Sequence, residues 1–180
     1  MYPFIRLAHQ FWLVRKSELK DPKATHVSYH RCWPWDIDMF GELNNGRTLT
    51  LYDLGRLPMG AQLGLMKSLK RNRWGLTMAG VTVRYRRRIK TFEKFSMKSR
   101  FLGWDDKFVY LEQSMWKLDG ECAGHAMYRS AVTDKNGIVS PTVVMEDLGL
   151  TEVENTIPDW VKNWIDADAT RPWPPMTDGA

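Results

Sequence analysis

The sequence predicts a single α+β domain in which an antiparallel sheet carries a long helix on one face. Its length of 180 residues fits one domain of ordinary size. A helical period of apolar residues begins at Gly46, and four strand-like segments separated by turn signals follow Gly75. One helix that covers one face of such a sheet defines the α+β class.

The N-terminal segment precedes this core and contains a helix of its own. Residues 1–16 are apolar but interrupted by Arg6, His9 and Gln10, which favours an amphipathic helix on the domain over membrane contact. They lack the features of a signal peptide, and no run of about 18 apolar residues predicts a transmembrane helix. A linker around Asp21-Pro22 leads to a strand over residues 25–34.

The long helix starts after a pair of asparagines. Asn44 or Asn45 is a suitable N-cap, and apolar residues recur at helical spacing through Leu57. Pro58 should kink or break this helix, since proline lacks the backbone N–H of a helix interior. A second helical run is expected over residues 59–69.

The strands that follow alternate clearly between faces. Val81, Val83 and Tyr85 share one face of the first, with the even-numbered arginines on the other. Asp119-Gly120 is a strong two-residue hairpin signal, and its register pairs Met115 with Gly124 and Ser114 with His125.

Both faces of this last hairpin carry apolar side chains, although the predicted helix can cover only one of them. Terminal segments or another subunit must therefore cover the second face. A short helix is predicted at residues 160–165, with Thr156 and Asp159 as its capping box, ahead of a Pro-rich end.

The charge, cysteines and histidines of the sequence limit which partners, compartment and metal sites are expected. The net charge of +5 and pI of about 9.2 favour anionic partners such as nucleic acid, membrane lipid or a phosphate-bearing ligand. Cys32 and Cys122 form neither a disulfide framework nor a zinc-ligand pattern, which suits a reducing, cytoplasmic compartment. His26 and His30 share a strand face without an evident third ligand, so no metal site is predicted.

The segment ahead of the long helix is the first candidate site. Asp36 and Asp38 lie two residues apart, just before Gly41, Glu42 and the helix start. A carboxylate there can act as base or nucleophile, while free N–H groups of the helix terminus receive a developing oxyanion. The alternative is a capped turn whose acids face water.

The sequence DIDMFGELNNGRTLTLYDLGR, residues 36–56, resembles the start of 4-hydroxybenzoyl-CoA thioesterase-like hotdog proteins. The resemblance covers residues 25–135, leaving 1–24 as N-terminal helix and linker and 136–180 as a C-terminal extension. It implies a sheet wrapped around the long central helix. It also implies roles by position: Asp38 as the catalytic carboxylate, Gly41 as the turn glycine, Asn44 and Asn45 as the paired asparagines, and Asp53 and Arg56 as a structural pair. Glu42 departs from the family pattern, where the position is often His.

The resemblance implies hydrolysis of an acyl-CoA thioester by a homodimer or homotetramer, with coenzyme A as part of the substrate and no separate cofactor. N–H groups near Asn45 and Gly46 would hold the oxyanion. A thiolate leaving group of pKa about 8.5 needs little help from an acid. The basic run would meet the coenzyme A phosphates, for which arginine is well suited; it comprises Arg84, Arg86, Arg87, Arg88 and Lys90.

Two alternatives remain open. A hotdog protein with Glu42 could bind an acyl-CoA or acyl-carrier ligand without hydrolysing it. The basic run could instead be a solvated strand end or bind nucleic acid, although no aromatic stacking platform interleaves its arginines. Nucleic acid is therefore not expected as a partner.

Overall fold

The computed structural model describes residues 2–19 and 21–175. Within these residues the sequence forms five α-helices and six strands, together with a 3-10 turn at Pro34–Asp36. The helices are α1 (Phe4–Val14), α2 (Asn45–Gln62), α3 (Leu65–Asn72), α4 (Pro141–Asp147) and α5 (Asp159–Ala169). The strands are β1 (His26–Arg31), β2 (Gly75–Tyr85), β3 (Lys94–Trp104), β4 (Val109–Lys117), β5 (Cys122–Asp134) and β6 (Gly137–Val139).

The strands form one antiparallel sheet in the order β1-β3-β4-β5-β2, with β6 added to β5. The sheet curls over α2, whose buried side chains join those of β3, β4 and β5 in the main core. The predicted α+β class and hotdog architecture are therefore confirmed. The Asp119-Gly120 register is confirmed too, because Met115 pairs with Gly124 and Ser114 with His125.

Helix α2 touches the sheet most closely at Gly55. A Cβ atom there would lie 2.6 Å from the Met97 sulfur and 2.7 Å from Ser99 Oγ, so only glycine fits. The buried Gln113 amide stabilises the same contact between helix and sheet. It donates hydrogen bonds to the Tyr52 carbonyl at 2.9 Å and to Ser99 Oγ at 2.7 Å. The distance between helix and sheet is fixed by this contact.

Of the two outcomes predicted for Pro58, a kink or a break in the helix, the break does not occur. Helix α2 continues through Pro58 to Gln62, and the chain breaks instead at Gly64, which has a φ of +83°. Proline removes one backbone hydrogen bond, but Leu54, Pro58 and Met59 are all buried, and this packing outweighs the loss. The second helical run accordingly begins later than predicted, at Leu65.

Two boundaries toward the C-terminus also differ from the prediction. Strand β2 ends at Tyr85, so Arg86 and Arg88 lie beyond the strand and do not share a strand face with Arg84. The final helix begins at Asp159 without a side-chain cap, and the Thr156 hydroxyl bonds to Glu154 instead. Pro158 immediately before the helix fixes an extended approach that needs no capping side chain.

Helix α5 covers part of the outer face of the sheet, as the apolar pattern of the last hairpin required. Val161 packs fully buried against Leu102, Tyr110 and Met127. A terminal segment therefore supplies cover on this face. At the other end of the chain, α1 packs on α2, and no described helix is long and apolar enough to span a membrane.

Strand β1 buries two histidines. His30 shares a hydrogen bond with Ser28 Oγ at 2.8 Å, and its ring lies tilted against the ring of Phe95. His26 Nε2 has no hydrogen-bond partner among the described residues. Burial lowers the pKa of His30 to about 3, with the nearby Arg6 charge adding to the effect, and burial also lowers the pKa of His26. Burial therefore favours the neutral form of both imidazoles.

We expect this burial to make the fold sensitive to acid. The native pKa of His30 lies below the unfolded value of about 6.5, so the unfolded chain binds the proton first and stability is lost as pH falls below about 6.5. The free energy of unfolding should fall by up to about 1.4 kcal/mol per pH unit for each such histidine. Urea titrations between pH 7 and pH 5 measure this slope. His30→Gln should reduce it, whereas His9→Gln, which alters an exposed histidine, should leave it unchanged; equal slopes in all three proteins would contradict the assignment.

Candidate active site

A tight loop over residues 37–43 lies directly before α2. Ile37 and Leu43 form an antiparallel bridge, and the Asp38 amide donates to the Glu42 carbonyl at 2.8 Å. Gly41 adopts a φ of +74°, which a residue with a side chain rarely accepts. The sequence DIDMFGEL therefore folds back on itself and sets Asp38 opposite Glu42.

Asp38 is half-buried in this loop, with one carboxylate oxygen occupied. Its Oδ1 accepts hydrogen bonds from the Phe40 amide at 2.8 Å and the Glu42 amide at 3.4 Å. Its Oδ2 makes no hydrogen bond to the described residues. The loop thus orients the carboxylate and leaves one oxygen available to abstract a proton or attack a carbonyl.

The N-terminus of α2 presents backbone donors beside the loop. Asn44 caps the helix, since its Oδ1 accepts from the Arg47 amide at 3.0 Å and its carbonyl accepts from the Thr48 amide. The amides of Asn45 and Gly46 have no acceptor among the described residues. Unsatisfied first-turn amides at the positive end of a helix dipole can stabilise an oxyanion.

The fold brings the basic run to this loop. The Leu43 amide donates to the Ile89 carbonyl at 2.8 Å, and Glu42 forms a bridge with Lys90. A cavity of about 240 Å³ opens between the two segments. Its lining includes Glu42, Asn45 and Thr48 on one side and residues 85–89 on the other.

The cations of the basic run differ in whether they form ion pairs and whether they line the cavity. Arg88 pairs with Glu42 at 2.8 Å and Arg87 with Glu121 at 3.0 Å. Arg86 lines the cavity, and its side chain, like that of the exposed Lys90, has no acidic partner among the described residues. Arg84 lies on the face of β2 opposite Tyr85, pairs in register with His125 and does not line this cavity. Its part in phosphate binding stays a prediction.

Asp36 occupies a different environment from Asp38. Its side chain is completely buried and pairs with Arg6 and Arg47, both at 2.7 Å. The Trp33 amide also donates to its carboxylate, and its own carbonyl accepts from the Asn44 amide at 3.0 Å. Asp36 therefore connects α1, the 3-10 turn and the start of α2. The loop that carries Asp38 begins directly after it.

Two tyrosines near the cavity received no role from the sequence. Tyr85 ends β2 and donates from its hydroxyl to the Asn45 carbonyl at 3.3 Å, which links the strand to the first turn of α2. Tyr52 lies one turn beyond Thr48 on α2, and a Cβ atom at Gly124 would lie 3.7 Å from its hydroxyl. The strand face that Tyr85 shares with Val81 and Val83 was the available signal for Tyr85, and nothing in the sequence indicated Tyr52.

The curled sheet, the central helix and a carboxylate loop at its N-terminus define a thioesterase-type domain. The sequence profile of the Thioesterase-like superfamily matches residues 32–165, and the chain belongs to this superfamily. The narrower assignment to the 4-hydroxybenzoyl-CoA thioesterase-like family stays a prediction.

Named relatives and solved structures are consistent with that family. The chain is 32% identical to Protein THEM6 of Drosophila melanogaster over 85% of this chain and 77% of that protein. A DHNA-CoA thioesterase from Staphylococcus aureus superposes with a TM-score of 0.60 at 15% identity, covering 81% of this chain and 91% of that one. A second Staphylococcus aureus protein, solved in complex with CoA, gives 0.61 at 14% identity over 79% and 92%.

Within the described residues, histidine, cysteine and acidic side chains form no cluster of three that could hold a metal ion.

The contrast between the two aspartates gives a prediction about stability. Asp36→Asn removes the charge of the buried carboxylate that pairs with Arg6 and Arg47, so we expect the free energy of unfolding to fall by about 3 kcal/mol. Asp38→Asn keeps the loop hydrogen bonds through its amide oxygen and should change stability by less than about 1 kcal/mol. Chemical denaturation of the two variants compares them directly. If both variants lose the same stability, Asp36 is not the anchor of this region.

Proposed function

We propose that the protein hydrolyses acyl-CoA thioesters to a free acid and coenzyme A. The observation that carries the proposal is the Asp38 carboxylate held in the loop that leads directly into α2, whose first-turn amides are unoccupied. Asp38 activates a water molecule or attacks the thioester carbonyl, and the Asn45 and Gly46 amides stabilise the oxyanion that forms. Expulsion of the thiolate then cleaves the C–S bond. When water is the nucleophile this step gives the free acid directly, whereas attack by Asp38 leaves an anhydride on its carboxylate that a water molecule then hydrolyses to the free acid.

Gly41, Glu42 and Asn44 support this arrangement without taking part in bond making. Gly41 permits the turn, and Asn44 caps the helix whose amides receive the oxyanion. Glu42 accepts the Arg88 ion pair and so joins the carboxylate loop to the basic run. We propose this linking role for the residue that stands where the resembled family often has His.

The basic run is proposed to bind the phosphates of coenzyme A. Arg86 and Lys90 have no acidic partner among the described residues and lie beside the cavity that begins at Asn45. Free cations at a cavity mouth attract phosphate strongly, and arginine binds it with two parallel hydrogen bonds.

We further propose that the working unit is a homo-oligomer, a dimer at least, assembled along β2. This edge strand is eleven residues long and pairs only with β5 in the described chain. Leu76, Met78 and Tyr85 on it are each at least 40% exposed. A long, apolar, open edge is a ready template for pairing with a second copy.

A second candidate function is binding of an acyl-CoA or acyl-carrier ligand without turnover. The ion pair between Glu42 and Arg88 favours it, because a glutamate held in that pair does not offer the neutral hydrogen-bonding and proton-transfer capacity of a histidine at this position. Binding of the ligand with no release of thiol would select this function.

We expect Asp38→Asn to lower turnover by about 10²–10⁴-fold, because an amide is a poor base and a poor nucleophile. Thiol release from short, medium, long and aromatic acyl-CoAs measures the effect, and binding should change little. Asp134→Asn is the matched control, since Asp134 caps an analogous turn through the Asn136 amide at 2.7 Å, away from the loop.

Glu42→Gln separates two versions of the mechanism. A modest loss indicates that Glu42 only links the loop to Arg88, while a loss as large as that of Asp38→Asn indicates two working carboxylates. Undiminished hydrolysis by Asp38→Asn would refute the assignment of Asp38, and a parent protein inactive on every thioester but able to bind acyl-CoA would select the binding function.

A second test addresses the phosphates. Arg86→Glu combined with Lys90→Glu should raise the KM for acyl-CoA by about tenfold or more, with a larger effect at low salt because exposed charges are screened over about 8–10 Å. The corresponding acyl-pantetheine lacks the nucleotide and should be affected much less. Lys135→Glu, which changes an exposed lysine in the β5–β6 turn, should alter neither substrate. Equal losses for both substrates would place the phosphates elsewhere.

A further inference from the structure

Helix α1 carries apolar side chains on both of its sides. One side packs on the domain, where Leu7 adjoins the main core and Gln10 is buried. Four large apolar side chains on the other side are each more than half exposed: Phe4, Ile5, Trp12 and Leu13. A surface helix normally turns polar residues toward solvent. The packing predicted from the sequence therefore uses one side of α1 and leaves its outer side uncovered by the described chain.

A groove of about 790 Å³ extends this apolar side beyond the N-terminal end of the helix. Phe4 and Ile5 line it from α1, and Trp33 and Trp35 line it from the segment of the 3-10 turn. The two indole rings stack with their centroids 5.4 Å apart, and Phe92 meets Trp33 edge-on at 6.0 Å. Trp35 and Phe92 are each more than half exposed. We call the exposed side of α1 and this groove the N-terminal apolar surface; it comprises Phe4, Ile5, Trp12, Leu13, Trp33 and Trp35.

The charges at the edges of the N-terminal apolar surface are positive. The Arg15 guanidinium lies over the Trp12 ring, 4.3 Å from its centroid, and the Arg31 guanidinium lies over Trp33 at 5.7 Å. Arg15 and the exposed Lys16 have no acidic partner among the described residues. Stacking on the indole rings holds these arginines beside apolar groups while their charge stays available to an anion.

Acidic residues do not cancel this charge. Arg6 and Arg47, which line the groove, pair with Asp36, and that carboxylate is completely buried. Helix α1 itself contains no acidic residue, and the first one in the chain is Glu18, after the helix has ended. The surface therefore combines apolar side chains with uncompensated cations.

An anionic membrane surface matches this combination. Tryptophan prefers the boundary between hydrocarbon and water, because its ring is apolar and its N–H stays hydrated there. A helix with exposed apolar residues flanked by Lys and Arg lies in the plane of that boundary, and acidic lipids attract its cations. A second copy of the chain fits less well, since an isologous contact along α1 would set Arg15 and Lys16 against their own counterparts without an acid from the helix.

We propose that the N-terminal apolar surface docks the protein on an anionic phospholipid membrane. The aliphatic and phenylalanine side chains enter the edge of the acyl region, the indole rings lie at the level of the headgroups, and Arg15 and Lys16 meet the lipid phosphates. At about 1.5 Å per residue, the 11 residues of α1 cannot cross the hydrocarbon core, so the helix lies on the membrane. Docking does not depend on hydrolysis at the proposed active site.

Co-sedimentation of the full chain with sucrose-loaded vesicles tests the proposal. We expect binding to vesicles of phosphatidylcholine mixed with phosphatidylglycerol. Binding to vesicles of phosphatidylcholine alone should be weaker by about tenfold or more, because the cations then meet no anionic surface. Added salt should weaken binding to the mixed vesicles, since it screens exposed charges. Absence of binding to the mixed vesicles, or equal binding to both kinds, overturns the proposal. A protein that hydrolyses no thioester can still give the expected result, so this proposal and the proposed function fail separately.

Two pairs of substitutions locate the apolar contact. Ile5→Gln with Leu13→Gln changes two exposed side chains of α1, so thermal unfolding should be unchanged while binding to the mixed vesicles weakens by about tenfold or more. Ile138→Gln with Val143→Gln is the matched control, because it changes exposed apolar side chains of β6 and α4 and should leave binding unchanged. Equal binding by the two variants contradicts the assignment of the surface.

A third variant tests the charges independently of the apolar contact. Arg15→Gln with Lys16→Gln should remove most of the preference for the mixed vesicles and leave binding to phosphatidylcholine alone unchanged. A variant that keeps the full preference overturns the role of these cations. Analytical ultracentrifugation of Ile5→Gln with Leu13→Gln covers the remaining occupant. A parent protein that ignores vesicles, together with a lower assembled mass in this variant, would make the surface a contact between copies and overturn the proposal.

Discussion

The buried carboxylate of Asp36 is the interaction on which the organisation of the N-terminal half depends. A carboxylate with no exposure to water is stable only when cations and hydrogen-bond donors surround it. Arg6 from α1 and Arg47 from the first turn of α2 provide the cations, and the Trp33 amide provides a further donor. Helix α1, the 3-10 turn and the central helix must therefore assemble together.

The same anchor determines how the carboxylate loop is held. The loop leaves from Asp36 and returns to Asn44, whose amide bonds to the Asp36 carbonyl. Asp38 thus lies in a loop that is closed at its base by buried groups and at its side by the bridge of Glu42 to Lys90. A segment that sequence position alone would place at the periphery, α1, contributes directly to the support of the candidate site.

Much of the fold could be predicted from local pattern. The Asp119-Gly120 turn gave the correct register of β4 with β5, because turn type and side-chain period are determined within a few residues. Pro58 does not break α2, because the packing that carries the helix past it comes from distant strands. The strand end at Tyr85 also depends on tertiary contacts, which no local signal reports.

The candidate site could be predicted in part for the same reason. The segment around Asp38 carries a specific family pattern, and the fold does bring it to the basic run. The sequence did not show that Asp36 is a buried structural residue while Asp38 lies in the loop, because the partners of Asp36 lie 30 residues before and 11 residues after it. Tyr52 was equally invisible, since a buried tyrosine looks like any core aromatic in a sequence.

The contact at Gly55 has a mechanical consequence for the central helix. Helix and sheet meet there without an intervening side chain, and the Gln113 amide holds the adjacent carbonyl. The first-turn amides lie toward one end of α2. An apolar cavity of about 260 Å³, lined by Leu57 and Met59 of the helix, lies toward the other end. A rigid rod held near its middle behaves as a lever, so a tilt that widens the space at one end of α2 narrows the space at the other.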